Sequence, residues 1–165
     1  MITVRPIVVA DVVAFKRTRL RALQDTPFAF SSTFEREAQF PDGEWLARVE
    51  RMNGEKGIGF LALDGEDPCG IVASFLDEKD ARRADLVSMW TAPTHRRKGV
   101  GKKLVDAVLN WAQARKVRTV VLLVTGNNES AIQFYEALGF AQTGRTEPYS
   151  NDPEVLEHEM EFFVA

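Results

Sequence analysis

The sequence predicts an α/β domain: a mixed sheet of six or seven strands with helices on both faces. Three observations carry that expectation. Apolar spacing is helical before residue 53, becomes strand-like from 57 to 93, and turns helical again after Gly99. "RTVVLLV" (118–124) is a continuous apolar run, as expected of a central strand covered on both faces. No linker or repeat divides the 165 residues, a length suited to one domain, 1–165.

Taken in order, residues 2–5 form a short strand closed by Pro6. Asp11 is placed to cap a helix reaching about Gln24, with Val12, Phe15, Leu20 and Leu23 as its inward stripe. Pro27 stops that helix before the turn-rich loop "DTPFAFSSTF". Ser32 or Thr33 caps a short helix with Glu35 and Glu37 in its first turn. Pro41-Asp42 opens another, with Trp45, Leu46 and Val49 on one face, ending at Asn53-Gly54. "GIGFLALD" and "CGIVASFLD" flank "GEDP" as a hairpin, and "ADLVSMWTAP" is a third strand stopped by Pro93. From Gly99, Leu104, Val105, Val108, Leu109 and Ala112 share one helical side. "NNESAIQFYEALGF" reads as a capped helix stopped by Gly139. "EVLEHEMEFFV" alternates, with Leu156, His158, Met160 and Phe162 on one side and Glu157, Glu159 and Glu161 on the other. The end of the chain thus holds one or two strands, and the glutamates read as a solvated acidic edge.

The composition narrows the function classes. A net charge of -3 argues against a general nucleic-acid binder. A single cysteine, Cys69, rules out an intrachain disulfide and a multi-cysteine zinc site. "MITVRPIVV" lacks the layout of a signal peptide, and no apolar run approaches membrane length. The expectation is a soluble cytoplasmic protein with no membrane or nucleic-acid partner.

Against that acidic background, "RRKGVGKKL" (96–104) stands out with five cations around a Gly-x-Gly. It is not a P-loop, because Arg96 and Lys103 occupy the positions that need Gly and Ser or Thr. The dinucleotide fingerprint needs a third glycine where Leu104 sits. What survives is a strand, a tight glycine turn and a helix whose first amides lack internal partners. Those amides and the helix dipole favour an anion. Lys102 and Lys103 in a first turn are unfavourable unless a negative group offsets them.

"WTAPTHRRKGVGKKLVDAVLNWA" followed by "VVLLVTGNNESAIQFYEALGF" resembles the GNAT superfamily of N-acyltransferases. Its loop pattern, Gln/Arg-x-x-Gly-x-Gly/Ala, is met by Arg96, Gly99 and Gly101. Its second signature, Asn-x-x-Ala-x-x-x-Tyr ending in Gly-Phe, is met by Asn128, Ala131, Tyr135, Gly139 and Phe140. The match is good over roughly residues 85–140.

The resemblance implies a mostly antiparallel sheet in which a strand at about 86–92 splays from one at 119–124. Acetyl-CoA would lie in the gap, with no metal. Met89, Trp90 and Thr91 would pair with the pantetheine arm. Arg96, Arg97, Lys98, Gly99, Val100, Gly101 and Lys102 would hold the pyrophosphate, and Asn128, Ser130 and Tyr135 would add further contacts. The Met89 amide is the expected donor to the thioester carbonyl, a task worth about 3–4 kcal/mol. Tyr135 would protonate the departing thiolate. Full transfer from a free phenol is uphill by roughly 2 kcal/mol, so protonation concerted with departure is expected.

The base that deprotonates the acceptor is left open among Glu35, Glu37, Asp85, Ser88 acting through water, and a water chain to solvent. His95 reads as a surface residue and His158 as a core one. Phe28, Phe30 and Phe34 either line an acceptor cleft or fill the core, and the face of Glu157, Glu159 and Glu161 either is the solvated edge or draws a cationic amine to that cleft. The expected activity is acetylation of a primary amine on a small molecule. Acetylation of a protein N-terminus or lysine, and a non-catalytic acyl-CoA-binding module, are the alternatives. A homodimer is compatible with all three.

Overall fold

A computed structural model describes residues 1–164. Seven strands form one sheet: β1 (Ile2–Pro6), β2 (Gly57–Asp64), β3 (Asp67–Leu76), β4 (Arg83–Thr91), β5 (Thr119–Thr125), β6 (Ala141–Tyr149) and β7 (Asp152–Phe163). Their order is β1-β2-β3-β4-β5-β7-β6, and every neighbouring pair is antiparallel except β4–β5. Five helices accompany them: α1 (Val12–Asp25), α2 (Phe34–Glu37), α3 (Asp42–Arg51), α4 (Val100–Ala114) and α5 (Glu129–Ala137).

Helices cover both faces, as two glycines show. A Cβ on Gly59 of β2 would meet Met52 at the end of α3, whereas one on Gly70 of β3 would meet Leu104 of α4 and Ala62 of β2. Residues 59 and 62 differ in parity along β2, so α3 and α4 lie on opposite sides of the sheet. The α4 stripe is buried as its spacing predicts, with Leu104, Val105, Val108 and Ala112 essentially inaccessible and Leu109 partly covered. Val120, Leu122 and Val124 of β5 join the same core.

Three local readings are corrected. Asp11 does not cap α1: its carboxylate accepts from the Val8 amide at 2.9 Å and from the Arg5 guanidinium at 2.7 and 2.9 Å. A short 3-10 turn, Val9–Asp11, precedes α1, so Asp11 closes that turn instead. The glutamate-rich strand β7 is not an edge, because β6 pairs along its outer side. Glu159 is nearly buried there, bonded to Arg83 at 3.0 Å and Thr143 at 3.1 Å. The hairpin turn between β2 and β3 is the two-residue Gly65-Glu66, since Asp64 already pairs with Asp67.

Two irregularities shape the middle of the sheet. The β4–β5 ladder holds only at Arg83–Thr119, Ala84–Val120 and Asp85–Val121, although both strands run on. The β3–β4 register shifts between Ile71, opposite Trp90, and Ala73, opposite Val87, so Ser88 and Met89 oppose Val72 alone. This is a β-bulge. Ser88 adopts φ 60, a left-handed conformation costly for a residue with a Cβ.

Candidate active site

Where β4 and β5 part, a cleft of about 1070 Å³ opens. One end is built by the start of α4. Gly99, at φ +81, is its N-cap, and no side chain caps it. The first intrahelical bond runs from Lys103 N–H to the Gly99 carbonyl, so the amides of Val100, Gly101 and Lys102 precede the ladder. Arg97, also left-handed at φ 61, lines the cleft and forms no ion pair among the described residues. Lys102 lines it too, paired with Asp106 at 2.7 Å.

Arg96 has a different job from a free phosphate ligand. Its guanidinium donates to the Thr91 carbonyl at 3.0 Å and to the Asp25 carboxylate, which also accepts from Trp90 Nε1 at 3.0 Å. Burial works against the Asp25 charge, but hydrogen bonds from Thr26, Trp90 and Arg96 outweigh it and hold the carboxyl below its usual range. The end of α1, the end of β4 and the glycine loop are thereby joined. Of the expected cofactor-binding positions, Met89, Trp90, Thr91, Arg96, Arg97, Gly99, Val100, Gly101, Lys102, Asn128, Ser130 and Tyr135 line the cleft. Lys98 does not.

A diphosphate-bearing thioester fits this donor set. The cleft offers unladdered amides, an unpaired arginine, and a buried Thr91 hydroxyl with no partner among the described residues. Gly101 explains itself by close approach: a Cβ there would lie 3.0 Å from the Phe134 ring and 3.2 Å from Met89 Cε. Asn128 caps α5, its Oδ1 accepting from the Ala131 amide at 3.2 Å.

Tyr135 lines the same cleft, packed edge-on against Phe134 and Phe140. Burial pushes its phenol far above the ordinary value, so it stays protonated at any physiological pH. No hydrogen bond to its hydroxyl occurs among the described residues.

Carboxylates and apolar side chains line the cleft as well. Asp85, Glu147, Glu157, Phe28, Phe30 and Leu123 are among them. Phe34 packs against the core instead. Burial raises Asp85 above its usual range, with Asp77 and Glu159 adding to the effect and Arg83 opposing it. Glu37 is no base: burial disfavours its charge, but Arg19 and Arg48 overcome that and hold the carboxyl down to about 2. Those guanidiniums lie 2.7–3.0 Å from its oxygens. Glu35 lies outside the cleft lining. His95 bonds Asp64 at 2.9 Å and lines the cleft, its side chain largely covered rather than on the surface, and His158 packs half-buried under Gly126 rather than in the core.

Sequence reasoning missed two features. Arg19, buried on α1, reaches Ser88 at 3.0 Å as well as Glu37; one of three arginines in an amphipathic helix gives no signal of its partners. Tyr149, without motif support, latches the loop 27–32 to the β6–β7 turn. Its hydroxyl meets the carbonyls of Phe30 and Pro27, at 2.5 and 3.2 Å. Asn151 Nδ2 donates to the carbonyls of Phe30 at 3.1 Å and Ser32 at 3.2 Å, and Ser150 donates to that of Ser31 at 3.2 Å.

Known proteins are similar to this chain in sequence and in fold. YsnE of Bacillus subtilis (strain 168), an uncharacterized N-acetyltransferase, is 31% identical over 116 residues, 68% of this chain and 75% of its own length. MJ1207 of Methanocaldococcus jannaschii, another uncharacterized N-acetyltransferase, is 31% identical over 101 residues; the match covers 61% of this chain and 40% of that relative. A GNAT-family acetyltransferase from Streptococcus pneumoniae superposes over the full length of both chains with a TM-score of 0.86 at 20% identity. YncA of Salmonella typhimurium, a putative acetyltransferase solved with acetyl-CoA, superposes with a TM-score of 0.82 at 17% identity, covering 100% of this chain and 95% of its own. The sequence model of the acetyltransferase (GNAT) family matches residues 18–140, a span that holds the parted strands, the glycine loop and Tyr135. This chain belongs to that family.

Proposed function

We propose that the protein transfers an acetyl group from acetyl-CoA to a primary amine of a small molecule, by direct attack within a ternary complex. The observation that carries this reading is the cleft between β4 and β5, with helix amides at one end and the protonated Tyr135 in its wall. Acetyl-CoA supplies the activated acyl group. The amides of Val100, Gly101 and Lys102, with Arg97, hold the diphosphate through the helix dipole and direct charge. The unpaired edge of β4 beyond Asp85 receives the pantetheine arm, and the Met89 amide beside the bulge polarises the thioester carbonyl. Asp85 takes the proton that the ammonium must lose; its raised affinity for a proton suits that task. Tyr135 delivers a proton to the leaving sulfur as it departs.

The latch of loop 27–32 onto residues 149–151 roofs the acceptor end, which favours a small acceptor over a folded protein surface. The test is thiol release from acetyl-CoA with a panel of small primary amines beside N-terminal and lysine peptides. Release with small amines at higher kcat/KM than with any peptide supports the reading. Preference for a peptide moves the protein to the protein-acetylating class, and binding of acetyl-CoA without turnover makes it a sensor.

A further inference from the structure

The cleft lining holds a pair of uncompensated carboxylates. Glu147 and Glu157 line it and are paired directly across β6 and β7. Directly paired like charges on neighbouring strands are destabilising. Neither glutamate has an ion pair or hydrogen bond among the described residues. Burial and the neighbouring Glu147 both raise the Glu157 carboxyl above its usual range, the mark of negative charge held without compensation.

A second observation points to what fills the site. Thr125 of β5 pairs directly with Glu157 of β7, so Thr125, Glu157 and Glu147 form a row across three strands on one face of the sheet. Thr125 is 4% exposed, lines the cleft, and its hydroxyl has no partner among the described residues. A buried hydroxyl in that state calls for an explanation. Three acceptors in a row match the three N–H donors of an alkylammonium group. Val121, opposite Asp85, lies four residues before Thr125 on β5, roughly 13 Å at about 3.3 Å per residue, with the half-exposed Leu123 between them. An apolar floor thus separates Asp85 from the glutamate pair.

From this we infer that the acceptor is a small amine carrying a second cationic centre across an apolar spacer, and that Glu147, Glu157 and Thr125 seat that distal cation. The inference rests on the acetyltransferase reading for the reacting amine, but the distal seat is a binding site testable on its own.

The experiment is calorimetric titration of the CoA-saturated protein with cadaverine, a five-carbon diamine, and with pentylamine, aminopentanol and aminopentanoate. Cadaverine is expected to bind about tenfold more tightly than pentylamine or aminopentanol, a difference of about 1.4 kcal/mol, with aminopentanoate weakest. The double variant Glu147→Gln, Glu157→Gln should bring the cadaverine-to-pentylamine ratio to within about twofold, and Thr125→Val, which keeps side-chain volume, should lower it about threefold. Equal binding of cadaverine and pentylamine, no measurable cadaverine binding, or a ratio unmoved in both variants overturns the proposal. Thiol release is followed in parallel. Absence of turnover with every amine alongside a preserved cadaverine preference rejects the transferase reading while leaving the cation seat standing.

Discussion

Arg19 joins Ser88 to Glu37. One guanidinium nitrogen donates to the Ser88 hydroxyl at 3.0 Å while two others grip the buried carboxylate at 2.9 and 3.0 Å. Ser88 is the left-handed residue of the β4 bulge, and Met89, the proposed oxyanion donor, follows it. Arg19 is therefore a positioning residue: it fixes a strained backbone from a base of two helices. Ser88→Ala loses that bond and retains the left-handed strain of about 1–2 kcal/mol. It should lower kcat about tenfold with little change in acetyl-CoA affinity. Ser88→Gly accepts φ 60 without steric cost and should stay within about threefold of the natural protein. Steady-state kinetics of the pair checks this; indistinguishable kcat values would mean that the bulge holds its shape unaided.

Tyr135→Phe removes only the hydroxyl, and the aromatic packing with Phe134 and Phe140 survives. If that hydroxyl is the acid, kcat should fall about a hundredfold, the lower end for general acid catalysis. Calorimetric affinity for acetyl-CoA should remain within about twofold. Retained turnover would leave Tyr135 a packing residue.

Gly101 is a test of the diphosphate site. Its absent side chain leaves room that Phe134 and Met89 approach to 3.0–3.2 Å. Gly101→Ala should weaken acetyl-CoA binding about tenfold by crowding those side chains, and Gly101→Asp should abolish it by adding a carboxylate beside the phosphates. Calorimetry measures both, and unchanged affinity in the aspartate variant would remove the loop from the site.

Asp85 predicts a pH profile. Its carboxyl is raised by burial, with Arg83 lowering and Asp77 and Glu159 raising it. As a base it acts only when ionised, so kcat/KM should climb with pH through a value above 3.8, the ordinary one. The limb belongs to the enzyme and should persist with an acceptor of lower amine pKa. Asp85→Asn should lower the rate throughout and erase the limb. A limb that survives that substitution points to water relay instead.

Glu37 predicts acid sensitivity of the fold. Its folded-state value, about 2, lies below the unfolded 4.5. The carboxylate therefore contributes stability fully above pH 4.5, lost progressively as pH falls toward about 2. Glu37→Gln strands Arg19 and Arg48, a loss of about 3–5 kcal/mol for a broken buried pair. Its unfolding free energy should also vary less steeply with pH across that window, as urea denaturation at several pH values will show.

The glycine turn and helix start proposed to hold acetyl-CoA were legible in the sequence because their physics is local. A strand, two glycines and a helix start are contiguous, and the Asn128–Tyr135 spacing lies within one helix. The α4 stripe and the buried run of β5 were equally plain. Strand β6 was not: "AQTGRTEPY" carries both Gly and Pro and is exposed along nearly its whole length, so no alternation marks it. Without β6, the glutamates of β7 looked like an edge. The acceptor half depends on contacts far apart in the chain, Arg19 with Ser88 and Tyr149 with Phe30, which no short window contains. Choosing Asp85 over Glu37 likewise required knowing which arginines surround each carboxylate.

The latch over the acceptor end grips only main-chain carbonyls, those of residues 27, 30, 31 and 32. A side chain of that segment that packs against nothing can thus be exchanged without loosening the moorings. Phe28, half exposed at the mouth, is the clearest instance. Under the proposed acetyl transfer, a change of acceptor preference at this position would leave the residues proposed to hold the thioester untouched.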